Sequence, residues 1–222
     1  MHLVRIKGDK VAEKISKEFN RTKLNEDGRI VVMNQEEIEI TKENPEVKIS
    51  QDYKTTYISS KPLTDVFFKA IGHDSKIIIF TANPPDFLEN INRHSCSENI
   101  ILIGIRNWTK EQQFIVKKHK IKYYNMKEIA IDGKRDVCDS IMSVARNGKS
   151  LFLSINLNVL DPAFAPDVIS QKPGGLTTRQ LIYFIQRIRL LKNFKTADIT
   201  GIKKEAEEKT IKTAEKLIVE LA

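Results

Sequence analysis

The stretch LFLSINLNVLDP at residues 151–162 indicates the fold, because a continuously apolar run ends in alternating amides and an Asp-Pro turn. Two similar runs precede it: KIIIF, which ends at Phe80, and NIILIGI at residues 99–105. Strands without polar alternation are buried on both faces, which is typical of parallel sheets covered by helices. The sequence therefore predicts an α/β, doubly wound, mainly parallel sheet with helices on both faces.

The segments around these runs fit that prediction. Helical spacing predicts helices near 63–71, through 109–119, over 135–146, from about 178 to 191, and at the C-terminus, with a short strand near 196–200. A strand at 2–6 and a helix over 11–19 come first, followed by apolar clusters at 30–33, 38–40 and 47–49 that favour short strands or extended loop. We expect one domain over 1–222.

The composition fits an ordinary globular protein. Hydrophobic residues make up 41% of the 222 residues, and no apolar run approaches the ~20 residues that span a bilayer. The N-terminus lacks the apolar stretch of a signal peptide, so we expect a cytoplasmic protein with no membrane partner. Two cysteines, Cys96 and Cys138, are too few for a disulfide framework and predict two reduced thiols.

The formal charge of +8 raises the question of a nucleic-acid partner. The lysines are spread along the chain and alternate with glutamates, as in Lys203, Lys204 and Glu205, which is typical of a solvated helix face. Neither a concentrated basic stripe nor a base-reading motif is visible in the sequence. On this pattern a nucleic-acid partner is not expected.

Polar side chains follow two of the predicted buried strands. Thr81 and Asn83 come after KIIIF, and Asn156 and Asn158 share a side with Ser154 in the later strand. Ligand sites in parallel sheets form outside the carboxyl ends of the strands, so these groups mark a candidate crevice. The alternative is that they only cap the following turns by hydrogen bonding to the backbone.

Several motifs resemble those of the ureohydrolase family, which includes arginase, agmatinase and formimidoylglutamase. Residues 154–166, SINLNVLDPAFAP, followed by PGGLT at 173–177, resemble the family signature S-x-D-x-D-x-x-D-P-x-x-x-P and its P-G-G-L segment. NIILIGIR at 99–106 and ADIT at 197–200 resemble two other family strands. The resemblance identifies a family core at 56–222, an arginase-like three-layer fold, and a divergent part at 1–55.

The resemblance also implies that the metal ligands of the family are replaced. The metal-binding positions of the family fall on residues without an acidic or imidazole side chain: Lys61, Thr81, Asn83, Pro85, Asn156 and Asn158. The position that helps to hold the guanidinium substrate falls on Gly201. Asp86 is adjacent to Pro85, and His94 resembles a histidine in the loop after the second strand. These two are the catalytic candidates.

Two divalent manganese ions need anionic oxygen ligands, which the substituted positions do not supply. A lysine at position 61 would add a positive charge, and two like charges about 4 Å apart repel by about 4 kcal/mol at an effective dielectric near 20. We expect no bound manganese or other cofactor, no metal-activated hydroxide, and the Lys61 ammonium in the vacated space, near the oxygens of Asn156, Asn158 or Thr81. A lysine facing solvent is the alternative.

The first functional hypothesis is a non-catalytic homologue that acts as a binding or interaction protein. By resemblance, its expected partners are copies of itself, in a trimer or hexamer, or an active paralogue. The second hypothesis is a hydrolase that cleaves C–N bonds of guanidino or amidino compounds, as agmatinase or arginase do, through a site rebuilt around Asp86, His94 or Lys61. Fold resemblance alone does not choose between them.

Overall fold

A computed structural model describes residues 2–19, 23–24, 26, 30–31, 33–38, 54–60, 74–90 and 97–222. The strands are β1 His2–Ile6, β2 Lys23–Leu24, β3 Ile30–Val31, β4 Asn34–Ile38, β5 Thr55–Ile58, β6 Lys76–Phe80, β7 Ile100–Ile105, β8 Lys122–Asn125, β9 Leu151–Asn156 and β10 Phe194–Thr200. The helices are α1 Lys10–Glu18, α2 Lys110–Lys118, α3 Met126–Ala145, α4 Thr178–Ile188 and α5 Glu208–Leu221.

Eight of the strands form one sheet in the order β4-β1-β5-β10-β9-β6-β7-β8, and every pairing in it is parallel. β2 and β3 form a separate antiparallel pair. The predicted parallel sheet is therefore confirmed. In this sheet β6 and β9 are neighbours, although their residues are far apart along the chain, so these two apolar runs meet in the interior of the sheet.

Helices cover both faces of the sheet, as predicted. On the first face, α1, α3, α4 and α5 enclose the larger core cluster, which includes Ile78, Ile101 and Leu153. On the second face, α2 and the short 3₁₀ turn Asp86–Asn90 pack over a smaller cluster that includes Ile79, Leu102 and Phe152. The alternation of residues along each strand accounts for this division, because neighbouring residues face opposite layers.

Capping side chains fix where three helices begin. Thr109, Asn125 and Thr177 each accept a hydrogen bond from the backbone N–H three residues later, and a glutamine or glutamate at that position returns one. Such a capping box satisfies two N–H groups that a helix start would leave unpaired. These caps therefore mark the first residues of α2, α3 and α4.

Some predicted boundaries differ from the structure. Helix α3 begins at Met126 rather than near 135, with an interruption at Gly133, whose φ of 83° a residue with a side chain rarely adopts. The short strand β8 lies at one end of the sheet, is only partly buried, and lacks the apolar run that marked the other strands. The helix expected at 63–71 and the cluster at 47–49 lie outside the described residues.

Candidate functional site

The candidate site lies at the carboxyl ends of β6 and β9, where the direction of the connections reverses. The chain continues from β6 to β7 on one side and from β9 to β10 on the other. Such a reversal leaves a crevice between the two loops that follow the strands. Thr81 and Asn83 follow β6, Asn156 ends β9 and Asn158 follows it, so all four lie at the carboxyl ends of two neighbouring strands.

Asn158 joins the two loops through its side-chain amide. Its Oδ1 accepts a hydrogen bond of 2.9 Å from the backbone N–H of Ala82 and lies 3.3 Å from the Thr81 hydroxyl. Its Nδ2 donates to Asn83 Oδ1 at 3.3 Å, and the Thr81 hydroxyl also donates to the carbonyl of Asn83 at 2.8 Å. Because Asn158 and Thr81 are buried, these neutral groups satisfy one another where water has little access.

Asn156 makes a different, local contact. Its Oδ1 accepts from the backbone N–H of Asn158 at 3.0 Å and caps the 3₁₀ turn Leu157–Val159. The capping interpretation therefore describes Asn156, whereas Asn158 bridges two strands. Gly201, which follows β10 with a φ of 82°, lies against Asn156: a Cβ at position 201 would stand 2.1 Å from Asn156 Oδ1. The Asn156 amide thus fills the space that a side chain at 201 would need.

The other predicted site residues do not join this network within the described residues. Pro85 begins the turn that leads into Asp86–Asn90, where its carbonyl accepts from the Leu88 N–H. Asp86 is exposed at the start of that turn. Lys61 and His94 lie outside the described residues, so the expected position of the Lys61 ammonium and the role of His94 stay predictions.

Arg106, which follows β7, holds the loop after β9 in place. Its guanidinium donates to the carbonyls of Asn158 at 2.7 Å and Val159 at 3.1 Å, and to those of Leu160, Lys172 and Pro173. Burial lowers the pKa of Arg106, and the nearby Asp161 carboxylate opposes that shift. The planar, five-donor guanidinium suits this convergence of carbonyls, which no other side chain can match.

Asp161 supports the same loop from its other side. Its carboxylate accepts backbone hydrogen bonds from Ala163 at 3.0 Å and Gly174 at 2.8 Å, and these contacts hold its pKa below the usual value. In the sequence, Arg106 and Asp161 were only positions within motifs that resemble those of the family. The structure gives them a physical role, since together they fix the backbone that carries Asn158.

The described polar side chains of the crevice carry no charge. Thr81, Asn83, Asn156 and Asn158 are neutral, and the Asn158 oxygen already accepts from the Ala82 N–H. In the part of the chain that the structure describes, no three His, Cys, Asp or Glu side chains gather in a group that could hold a metal. Hard divalent cations prefer several anionic oxygens, whereas these four side chains offer amide and hydroxyl oxygens.

Comparison with known sequences gives one consistent family. The model of the arginase family matches residues 51–222 of this chain. The non-hepatic arginase 3 of Xenopus laevis is 34% identical over 92 residues, which cover 40% of this chain and 26% of that protein. The matched stretch therefore spans about a quarter of that relative.

Comparison with solved structures gives the same fold. Formimidoylglutamase from Bacillus subtilis superimposes with a TM-score of 0.82 at 17% identity, over 99% of this chain and 85% of the other. Arginase from Bacillus subtilis gives a TM-score of 0.79 at 17% identity, over 100% and 97% of the two chains. At such low identity these likenesses concern the fold. None of the described helices is long and apolar enough to cross a membrane.

Proposed function

The chain belongs to the arginase family, and from this premise we propose that it is a non-catalytic member that acts by binding or interaction. The observation that carries the proposal is the amide cluster between β6 and β9. Asn158 Oδ1 accepts from Ala82 N–H at the crevice where the family signature has an aspartate, and Asn158 Nδ2 donates to Asn83. The side chains of the cluster are electrically neutral and hydrogen-bond to one another and to the backbone.

The charge of the cluster supports the absence of the family's two-metal chemistry. Two divalent cations bring four positive charges, and burial of such charge needs paired anions. A cation at Asn158 Oδ1 would also share that oxygen with the Ala82 N–H, whose positive end already points at it. Without a metal, no water of lowered pKa is available to attack a guanidinium carbon.

The position whose carboxylate helps to hold the substrate in the family also lacks a charged side chain in this chain. Gly201 offers no carboxylate to a guanidinium group, and the Asn156 side chain occupies the space beside it. Loss of the substrate contact and loss of the metal ligands reinforce each other, since either change alone would weaken hydrolysis of a guanidino compound. We propose self-association, as a trimer or hexamer, or assembly with an active paralogue as the form in which the chain acts.

A second candidate is a hydrolase of C–N bonds in guanidino or amidino compounds with a rebuilt site. It is favoured by the intact support of the crevice, where Arg106 and Asp161 still fix the loop after β9. The exposed Asp86 at the rim would be its available carboxylate, with Lys61 and His94 as further candidates. This function requires that the described amide cluster open when substrate binds.

Two measurements on the purified full chain separate the candidates. We expect no stoichiometric manganese by elemental analysis after incubation with the metal, and no urea release from arginine or agmatine above background. Metal-dependent turnover that survives purification and disappears in Asp86→Ala or His94→Ala would instead establish the hydrolase.

A reverse variant tests the mapping of the crevice. It restores the family ligands through Lys61→His, Thr81→Asp, Asn83→His, Asn156→Asp and Asn158→Asp, and it should gain manganese affinity. The control adds three carboxylates at exposed positions elsewhere, through Ser140→Asp, Asn147→Asp and Gln171→Glu. A folded reverse variant that binds manganese no better than this control would contradict the residue assignments.

A further inference from the structure

The amino ends of six neighbouring strands form a second edge of the sheet, opposite the crevice. Because β5, β10, β9, β6, β7 and β8 are parallel, the segments that enter them all arrive on this side. We call this surface the amino edge and define it by residues 54, 74–76, 97–99, 117–122, 146–150 and 189–193. At a spacing of about 4.8 Å per strand, its six strands extend over about 24 Å.

The amino edge is strongly basic. Its exposed charged side chains include seven cations, which come from three separate stretches of the chain: Lys117, Lys118, Lys120, Lys122, Arg146, Lys149 and Lys192. The exposed carboxylates of the same described segments are Asp74 and Glu98. Asp74 already pairs with Lys149 at 2.7 Å. The positive charge of this edge is therefore largely uncompensated by its own acids.

Helix dipoles explain only part of this charge. Cations near a helix C-terminus offset the partial negative charge of its last carbonyls, and the last turn of α2 holds Lys117 and Lys118. Arg146 is the C-cap of α3 and donates to the Met142 carbonyl at 3.2 Å. Lys120, Lys122 and Lys192 lie beyond the ends of the helices. A role in stabilising helices does not account for them.

We propose that the amino edge binds the phosphodiester backbone of a nucleic acid without reading its sequence. A double helix carries one negative charge per about 1.7 Å of its axis, so an edge of about 24 Å faces about seven base pairs. Lysines are suited to phosphate contacts, which position a nucleic acid but carry no sequence information. Four of the cations lie at the entry to β8 and three at the entries to β9 and β10, so the edge offers phosphate contacts toward both of its ends.

The same edge is less suited to other anionic partners. Association with a membrane surface combines basic charge with inserted apolar side chains, and the exposed large apolar residue in these segments is a single leucine, Leu190, at 61% exposure. An acidic protein would need carboxylates arranged along a similar line. The sequence argued against nucleic acid because its lysines are dispersed, but parallel strands bring dispersed segments to one edge.

Fluorescence anisotropy with a labelled mixed-sequence duplex of roughly 20 base pairs tests the proposal on the full chain. Neutralisation of about five phosphates predicts that affinity falls about 500-fold between about 50 and about 200 mM salt. The double variant Lys118→Glu/Lys192→Glu should weaken binding at least about tenfold and flatten the salt dependence by about two phosphate contacts. Unlabelled polyglutamate and vesicles of anionic lipid serve as competitors.

The matched control is Lys203→Glu/Lys204→Glu, which changes the net charge equally at exposed positions after β10, near the carboxyl ends of the strands. It should retain affinity within about threefold, and both variants should keep the thermal stability of the parent. The proposal would be overturned if both variants lost affinity equally or if the parent showed no salt-dependent binding. It would also be overturned if polyglutamate or vesicles displaced the duplex at a lower charge concentration than unlabelled duplex does. The crevice takes no part in this experiment, so its outcome is independent of whether the chain is catalytic.

Discussion

The substitution Asn158→Ala tests whether the amide cluster stabilises the fold. It removes the acceptor of the Ala82 N–H, which lies at 2.9 Å, and the donor to Asn83 Oδ1 at 3.3 Å. Ala82 and Asn158 are buried. An orphaned buried N–H costs about 1–3 kcal/mol and a lost neutral hydrogen bond about 0.5–1.5 kcal/mol, so we expect the free energy of unfolding to fall by about 2–4 kcal/mol.

Asn158→Asp separates hydrogen bonding from charge at the same position. One carboxylate oxygen can still accept from Ala82, but the other replaces the Nδ2 that donates to Asn83 Oδ1, so two acceptors face each other. Burial favours the neutral carboxylic acid and raises the pKa of an introduced aspartate. A raised folded-state pKa destabilises the variant above that pKa, so its loss of stability should shrink as the pH falls.

Urea unfolding followed by the fluorescence of Trp108, the single tryptophan of the chain, measures both changes. Asn147→Ala is the control because Asn147 is exposed, and it should change stability by less than about 0.5 kcal/mol. If Asn158→Ala changes stability no more than this control, the cluster does not stabilise the crevice. If manganese stabilises the native protein, the neutral cluster binds metal after all and the reasoning fails.

Arg106→Lys should lower the free energy of unfolding by about 2–4 kcal/mol, because an ammonium cannot reach the carbonyls that the guanidinium binds; a loss below about 0.5 kcal/mol in urea unfolding would contradict this. Gly201→Ala should destabilise through its positive φ and its contact with Asn156, and in an Asn156→Ala background only the backbone part, about 1–2 kcal/mol, should remain. In a Cys96→Ser background, the buried Cys138 thiol, whose pKa burial raises to about 11, should react with a thiol reagent only as fast as the protein opens. Because the folded state disfavours its thiolate, stability should also fall as the pH rises from about 9 toward 11, and fast labelling of native protein would refute its burial.

The sequence of the strands predicted much of the fold, because a run of apolar residues identifies a buried strand without knowledge of its neighbours in the sheet. The runs ending at Phe80, Ile105 and Asn156 are strands at the expected positions, and they are neighbours or near neighbours in one parallel sheet. Strand β8 was not predicted because it lies at one end of the sheet and is only partly buried. A partly buried strand does not need a continuous run of apolar residues. The early start of α3 was missed because Gly133 interrupts its helical pattern.

For the crevice, the sequence alone determined which residue types stand at the ends of β6 and β9. Only the tertiary structure decided that Asn158 bridges the loops while Asn156 caps its own turn, and that Arg106 binds the backbone behind them. The dispersed lysines became one basic edge in the same way. The pattern of apolar and polar residues indicates which face of a strand or helix a side chain lies on. Contacts between distant segments depend instead on the order of the strands in the sheet, which the local sequence does not encode.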